Sequence, residues 1–198
     1  MKEARATVLA VLAALTLVVP VHSVMSAQSP ASGGRETFTA FAVDLGGPTR
    51  RTSTSQVKIT VDRWSTDEER RRLVSSFTEG GDDDLLKALR DLKPLGRLST
   101  PDSIGYDLRY AHQMPLASGG RRIIIATDRP MSYWESTRRP RSFDYPYTFI
   151  EMRMGPDGKG QGKMTVATKV NMLGTDTIEL ENYDMTPVQL SEIRSSRK

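Results

Sequence analysis

The fold class is decided by two segments, Tyr147-Thr-Phe-Ile-Glu-Met-Arg-Met154 and Lys163-Met-Thr-Val-Ala-Thr-Lys-Val-Asn-Met172. Apolar and polar side chains alternate along both, and a period of two over this length is typical of half-buried antiparallel strands. The eight residues between them include four glycines and the pair Asp157-Gly158, which tolerate the positive φ angles of a turn. The pattern predicts a β-hairpin whose first strand has two faces: Thr148, Ile150, Met152 and Met154 on one, and Phe149, Glu151 and Arg153 on the other.

Six further segments have the alternation or composition of strands. They are residues 37–45, 56–64, 104–114, 121–127, 176–183 and 187–193. In the second of these, Val57, Ile59 and Val61 are expected to face inward. Together with the hairpin they make about eight strands, which predicts a mostly antiparallel sheet that is curled or partly closed into a barrel.

Between the second and third of these strands the apolar period changes from two to that of a helix. Ser65 as N-cap and Glu68 three residues later have the spacing of a capping box, which predicts a helix over 66–78. Gly80-Gly81 is expected to end it, and Asp82-Asp83-Asp84 to begin a second helix that Pro94 closes. The fold class is therefore α+β, with a two-helix insertion after the second strand.

Residues 1–27 have the features of a secretory signal peptide. Lys2 and Arg5 precede an apolar run over 6–21, which is too short for a stable membrane span, and small residues follow. We predict export to the periplasm or medium, with an uncleaved N-terminal anchor as the alternative. The expected organisation continues with a disordered lead-in (28–36), a single domain (37–194) and a basic tail (195–198).

The amino-acid composition of the mature chain excludes several kinds of functional site. It has no cysteine, which excludes disulfides, thiol nucleophiles, zinc ribbons and iron–sulfur clusters. His112 is its only histidine, too few for a conventional zinc site. The 28 basic and 24 acidic side chains fall to 26 and 23 without Lys2, Arg5 and Glu3, and a net charge of +3 gives no indication of a nucleic-acid partner. We expect no cofactor and no metal.

Several short motifs are shared with a known group of proteins. They are Trp64-Ser-Thr-Asp-Glu-Glu-Arg70, Leu85-Leu-Lys-Ala-Leu89, Ser99-Thr-Pro-Asp-Ser-Ile-Gly-Tyr-Asp-Leu-Arg-Tyr110, Ala126-Thr-Asp-Arg-Pro130, Ile150-Glu-Met-Arg153 and Ile178-Glu-Leu-Glu-Asn-Tyr183. The chain resembles, over the whole mature sequence, a group of small exported bacterial proteins with no assigned activity. The resemblance implies export and a single domain, and it brings no catalytic residue or cofactor.

Catalysis by His112 is one hypothesis. A Ser–His–Asp arrangement would draw on Ser103 or Ser132 and on Asp107 or Asp128. The sequence has no G-x-S-x-G elbow, and His112 alternates with Tyr110 and Met114, which favours a core or pocket-lining histidine.

Carboxylates and methionines offer weaker alternatives. Glu179 and Glu181 could serve glycoside hydrolysis, but their alternation with Ile178 and Leu180 places them on a solvated face. The run Asp82–Asp84 lacks the spacing of a calcium loop and is explained by helix capping. Methionines on alternate strand positions can bind Cu(I) or line a pocket, but a core role is favoured.

The segment 128–146 is longer than most inert connections, which favours a binding role or a lid. It interleaves arginine with aromatic side chains, a combination that binds phosphates, uronates or sugars. Its members are Arg129, Tyr133, Trp134, Arg138, Arg139, Arg141, Phe143 and Tyr145.

The favoured hypothesis is a non-enzymatic exported binding or envelope-associated domain. Its ligand is expected to be apolar or amphiphilic, or an anionic envelope polymer. We predict a concave face formed by Tyr106, Tyr110, His112, Ile150, Met152 and Val166, with Tyr133, Trp134, Arg138, Arg139 and Arg141 at its mouth. A hydrolase using His112 or a carboxylate pair, and a structural or protein-interaction module, are the alternatives; the sequence leaves the oligomeric state open.

Overall fold

A computed structural model of the chain describes residues 34–45, 52–101, 103, 105–117, 119–130, 145–173, 177–182 and 186–197. The predicted signal peptide, most of the predicted lead-in and positions 131–144 lie outside the described residues. The elements are β1 (Glu36–Asp44), β2 (Ser53–Val61), α1 (Asp67–Asp91), β3 (Gly96–Ser99), β4 (Tyr106–Leu108), β5 (Tyr110–Pro115), β6 (Arg121–Thr127), β7 (Tyr147–Met154), β8 (Lys159–Leu173), β9 (Thr177–Asn182) and β10 (Val188–Arg197).

The strands form one antiparallel sheet in the order β4-β3-β2-β1-β10-β8-β7-β6-β5, with β9 paired to the second half of β8. The two ends of this order, β4 and β5, are separated in sequence only by Arg109, whose N–H donates to the Ala126 carbonyl on β6 at 3.0 Å. The sheet is therefore a nearly closed barrel. This confirms the predicted mostly antiparallel, curled sheet with a helical insertion after its second strand.

The strand count differs from the prediction at two places. β3 has four residues, too few to show a period, and it was missed. The predicted strand over 104–114 is divided at Arg109, because Leu108 and Ala111 both point into the barrel and are fully buried. In one regular strand, residues on the same face are separated by an even number of positions, whereas Leu108 and Ala111 are three positions apart. The extra residue therefore interrupts the strand as a local irregularity.

The predicted hairpin is confirmed, with β7 at its predicted bounds and Ile150, Met152 and Met154 buried. β8 begins four residues earlier than predicted because Gly160 and Gly162 belong to the strand and not to the turn. A Cβ on Gly162 would lie 2.4 Å from the Glu151 carbonyl oxygen of β7, so only glycine fits there. β10 likewise extends through Arg197, over most of the predicted tail.

The helical insertion begins one residue later than predicted. Thr66 is the N-cap, and it exchanges hydrogen bonds with Glu69, whose N–H donates to the Thr66 hydroxyl at 3.1 Å. Ser65 is unavailable for this role because its hydroxyl accepts from the Ala111 N–H of β5 at 3.1 Å. The first turn of α1 is thus fixed to the sheet as well as capped.

The two predicted helices form one element, α1, that is interrupted at Gly81, where φ is 69°. Arg72 and Asp91 form an ion pair at 3.0 Å although 19 positions separate them. A straight helix would place them about 28 Å apart. The chain therefore reverses at Gly81, and the two arms of α1 lie side by side, as expected for a tightly joined pair packed on a sheet.

The molecule has two apolar cores. The first fills the barrel and contains Phe38, Ile59, Leu98, Ile123, Ile150 and Met152. The second lies between α1 and the outer face of the sheet, meaning the side away from the barrel interior. It contains Leu73, Phe77, Ala88, Leu89 and Leu92 of the helical segment with Ala126, Tyr147 and Val170 of the sheet.

Candidate functional site

The structure divides the predicted concave face between the two cores. Tyr106, Ile150, Met152 and Val166 lie inside the barrel, where their neighbours pack against them. Tyr110 and His112 lie on the outer face, because the irregularity at Arg109 reverses the alternation between β4 and β5. The prediction that these residues share one face is wrong.

An apolar groove of about 410 Å³ lies instead between α1 and the outer face of the sheet. That volume falls in the range of small-molecule sites. Both arms of α1 contribute side chains to it, and each strand from β5 to β9 contributes at least one residue. Its walls include Leu73, Phe77, Leu85, Tyr110, Phe149 and Val170.

Two large aliphatic side chains at the groove are exposed to solvent. Val74 on the first arm of α1 is 54% exposed, and Leu180 on β9 is 49% exposed. Val74 therefore lies outside the buried face of its helix, to which Leu73 and Phe77 belong. Both side chains line the groove, so its apolar surface continues out to solvent on the helix side and on the β9 side.

Asp82, directly after the reversal in α1, fixes the second arm to the sheet. β7 begins at Tyr147, which pairs with Thr168 of β8, so Val170 lies beyond the end of β7. The Asp82 carboxylate accepts a hydrogen bond from the Val170 N–H at 3.2 Å. The Tyr147 hydroxyl donates to the Asp82 carbonyl oxygen at 2.8 Å. Burial raises the pKa of both Asp82 and Tyr147. These bonds hold the floor of the groove in place.

The β5 end of the groove is polar. Burial raises the pKa of Tyr110, and the positive charge of the Arg70 guanidinium close to its hydroxyl opposes that rise. The Tyr110 and His112 rings stack with centroids 6.2 Å apart. Burial lowers the pKa of His112, and the positive charge of Arg70 lowers it further against the opposing effect of Asp67. Burial and Arg70 therefore both favour the neutral form of the His112 imidazole.

Comparison of the chain with protein-family models, curated proteins and solved structures finds no match. In the described part of the chain, no three His, Asp or Glu side chains are arranged to hold a metal ion. No helix within those residues has the length and apolarity needed to cross a membrane.

The predicted basic loop is described only at its two ends. Tyr133, Trp134, Arg138, Arg139 and Arg141 lie outside the described residues. At the first end, Arg129 stacks its guanidinium 4.8 Å above the Tyr106 ring and Asp128 pairs with Arg109 at 3.4 Å. At the second, the Tyr145 hydroxyl donates to Glu181 at 2.6 Å.

Three of the residues considered for catalysis bind other groups. Ser103 accepts a hydrogen bond from the Thr100 N–H, and Asp128 is paired with Arg109. Glu181 accepts from Tyr145 and Asn171, and the bond from Tyr145 in particular lowers its pKa. A carboxyl with a lowered pKa is poorly suited to the general-acid role of a glycosidase. Ser132 lies outside the described residues.

A second depression, of about 520 Å³, lies on the outer face where β7, β8 and β10 meet. Its lining is polar and includes Arg153, Lys163 and Gln189. Glu151 also lines it and pairs with Arg122 at 2.9 Å and with Arg153 at 3.3 Å. Because this carboxylate offsets the arginines, the depression is less suited to a polyanion than the count of basic residues suggests.

Sequence reasoning missed the groove because it treated the outer face as solvated. The available signal was aromatic residues on that face: Tyr147 and Phe149 alternate with the buried row of β7, and Tyr110 is on the same side of the sheet. The apolar stripe of α1, from Leu73 to Phe77, predicts a covering partner, and the outer face is the surface it covers.

Proposed function

We propose that this protein is an exported, non-enzymatic binding domain that takes the apolar part of an amphiphilic ligand in the groove between α1 and the outer face of β5–β9. The observation that carries the proposal is the groove itself, with Val74 and Leu180 each about half exposed beside it. Export is supported by the charged and apolar pattern of residues 1–27.

The barrel interior is a weaker candidate for the same role. Its inward side chains, including Ile123, Ile125, Ile150 and Met152, are fully buried against one another. Close-packed cores of this kind admit a ligand only if side chains move. In the groove, by contrast, exposed apolar surface is available to a ligand without rearrangement of the sheet.

The energetic gain can be estimated from the two exposed side chains. Fully burying one aliphatic side chain contributes about 1.5–3 kcal/mol, so covering the exposed half of Val74 and of Leu180 contributes about 0.75–1.5 kcal/mol each. Together they account for a factor of roughly 10–150 in affinity. Polar replacements at these positions remove most of that gain and leave the buried core of α1 unchanged.

The test uses N-phenylnaphthylamine, an uncharged apolar fluorophore whose emission rises on leaving water. We expect the purified protein to bind it, and the double variant Val74→Gln, Leu180→Gln to bind at least about tenfold more weakly. Phe41→Gln is the matched control, since Phe41 is 46% exposed on β1, outside the groove.

Circular dichroism must show that all three proteins are folded. Equal binding by the double variant and the Phe41 control would remove the groove as the site. Failure of the unmodified protein to bind the fluorophore at all would remove the proposed function.

A further inference from the structure

The groove has a defined direction. It takes lining residues from five neighbouring strands in order: Tyr110 on β5, Ala126 on β6, Phe149 on β7, Val170 on β8 and Leu180 on β9. Neighbouring strands lie about 4.8 Å apart, so this path is about 19 Å long. A volume of about 410 Å³ over that length corresponds to a mean cross-section of about 20 Å², which suits one extended alkyl chain better than a compact ring system.

The two ends of the path differ in charge. At the β9 end Leu180 presents an aliphatic side chain to solvent. At the β5 end the groove is lined by Arg70, whose side chain interacts with Tyr110 and His112. A ligand lying along the path would therefore place an anionic head at β5 and an apolar tail toward β9.

The charge of Arg70 is not consumed by an ion pair among the described residues. Arg63 pairs with Glu69 at 2.8 Å, and Arg72 pairs with Asp91 at 3.0 Å. Within the described residues, the charge of Arg70 instead acts on the Tyr110 phenol and the His112 imidazole. The opposing charge that acts on this end is that of Asp67, which is exposed on the first turn of α1.

We propose that the groove binds a free single-chain fatty acid, with its carboxylate on Arg70 and the Tyr110 hydroxyl and its alkyl chain lying across β6–β8 toward Leu180. This inference rests on the proposed function, and it adds the class of the ligand and the residue that binds its head group. A guanidinium and a hydroxyl supply the donors that a carboxylate needs, and the groove excludes water from the chain.

The experiment compares dodecanoate with uncharged dodecanol as displacers of N-phenylnaphthylamine from the purified protein. We expect dodecanoate to bind about tenfold more tightly than dodecanol, a preference consistent with one charge-assisted hydrogen-bonded contact that is partly screened by solvent. Arg70→Gln removes the preference, and Arg70→Lys restores part of it. Arg71→Gln, an equally large charge change on the next residue of the helix, leaves the preference intact.

Each other outcome overturns a defined part of the account. Equal affinity for the two displacers in the unmodified protein overturns the head-group assignment and leaves the apolar groove standing. Loss of the preference in Arg71→Gln as well would assign it to the general charge of α1. Arg70-dependent flotation with anionic phospholipid vesicles, without displacement by dodecanoate, would replace a free fatty acid with a membrane surface. Failure of the fluorophore to bind removes the proposed function too.

Discussion

Replacing Arg121 with Met should destabilise the barrel strongly, because it removes the two-point ion-pair partner of a buried carboxylate and leaves only the largely exposed Arg197 opposite it. Glu36 on β1 is 2% exposed, and it accepts hydrogen bonds from both terminal nitrogens of Arg121 on β6 and from the Ser195 hydroxyl on β10 at 2.9 Å. Arg121 also donates to Gln113 at 2.7 Å. Removing one partner of a buried ion pair typically costs about 3–5 kcal/mol.

The exposed ion pair between Arg72 and Asp91 provides the control. Its side chains are 52% and 53% exposed, so Arg72→Met should cost no more than about 1 kcal/mol. Urea unfolding followed by circular dichroism measures both changes, and the melting temperature of Arg121→Met should fall by about 6–20 °C. Adding Glu36→Gln to Arg121→Met should recover part of the loss, since no charge then stays buried unpaired.

Equal losses in the two single variants would refute this reasoning. They would mean that Glu36 is solvated in the folded protein or that Arg197, 3.3 Å from the same carboxylate, replaces Arg121. Recovery by Glu36→Gln separates these cases, because it is expected only where the charge of Glu36 is the source of the instability.

Two further predictions follow from the same fold. Burial opposes ionisation of Glu36, but hydrogen bonds from Arg121 and Ser195 outweigh it and hold its pKa below 4.5, so its contribution to stability is complete above about pH 4.5 and is lost as the pH falls further. Urea titrations across that range should show this acid loss, and a shallower one in Arg121→Met; parallel curves would contradict it. Gly162→Val should cost about 1–3 kcal/mol, since its Cβ would meet the Glu151 carbonyl oxygen at 2.4 Å, whereas Gln161→Val on the exposed face should change stability by less than about 0.5 kcal/mol. Equal urea midpoints for these two variants would contradict the close approach of β7 and β8.

The regular strands were predictable because local alternation and tertiary burial agree in them. In β6 and β7 the predicted bounds match the structure, and in β2 the predicted inward row of Val57, Ile59 and Val61 is buried. In these segments the inward positions are mostly apolar and the turns are rich in glycine, so one period describes the whole element.

Irregular backbone was not predictable from the same pattern. Tyr106, Leu108, Tyr110, His112 and Met114 alternate cleanly in the sequence, but closing the barrel requires the chain to bend at Arg109. The bend lets β4 pair with β3 and β5 pair with β6, and it moves Tyr110 and His112 to the outer face. Sequence alternation carries no information on where a sheet must bend to close.

For the same reason, the candidate site could be predicted only in part from the sequence. Tyr110 and His112 were singled out from the sequence, but the residues predicted to share their face lie on the other side of the sheet. Their partner Arg70 is contributed by α1, 40 residues earlier in the chain, and no local pattern links the two. The arginine-aromatic segment 131–144 stays a prediction.

The most direct test of the account locates a bound fatty acid on the protein. A stearic acid carrying a nitroxide on its alkyl chain is added to the ¹⁵N-labelled protein, and the broadening of each backbone amide is measured. We predict that the amides of Phe149, Val170 and Leu180 broaden most, while those of β1 and β2 on the opposite part of the barrel are unaffected. Broadening centred on β1 and β2, or spread evenly over the surface, would contradict binding in the groove.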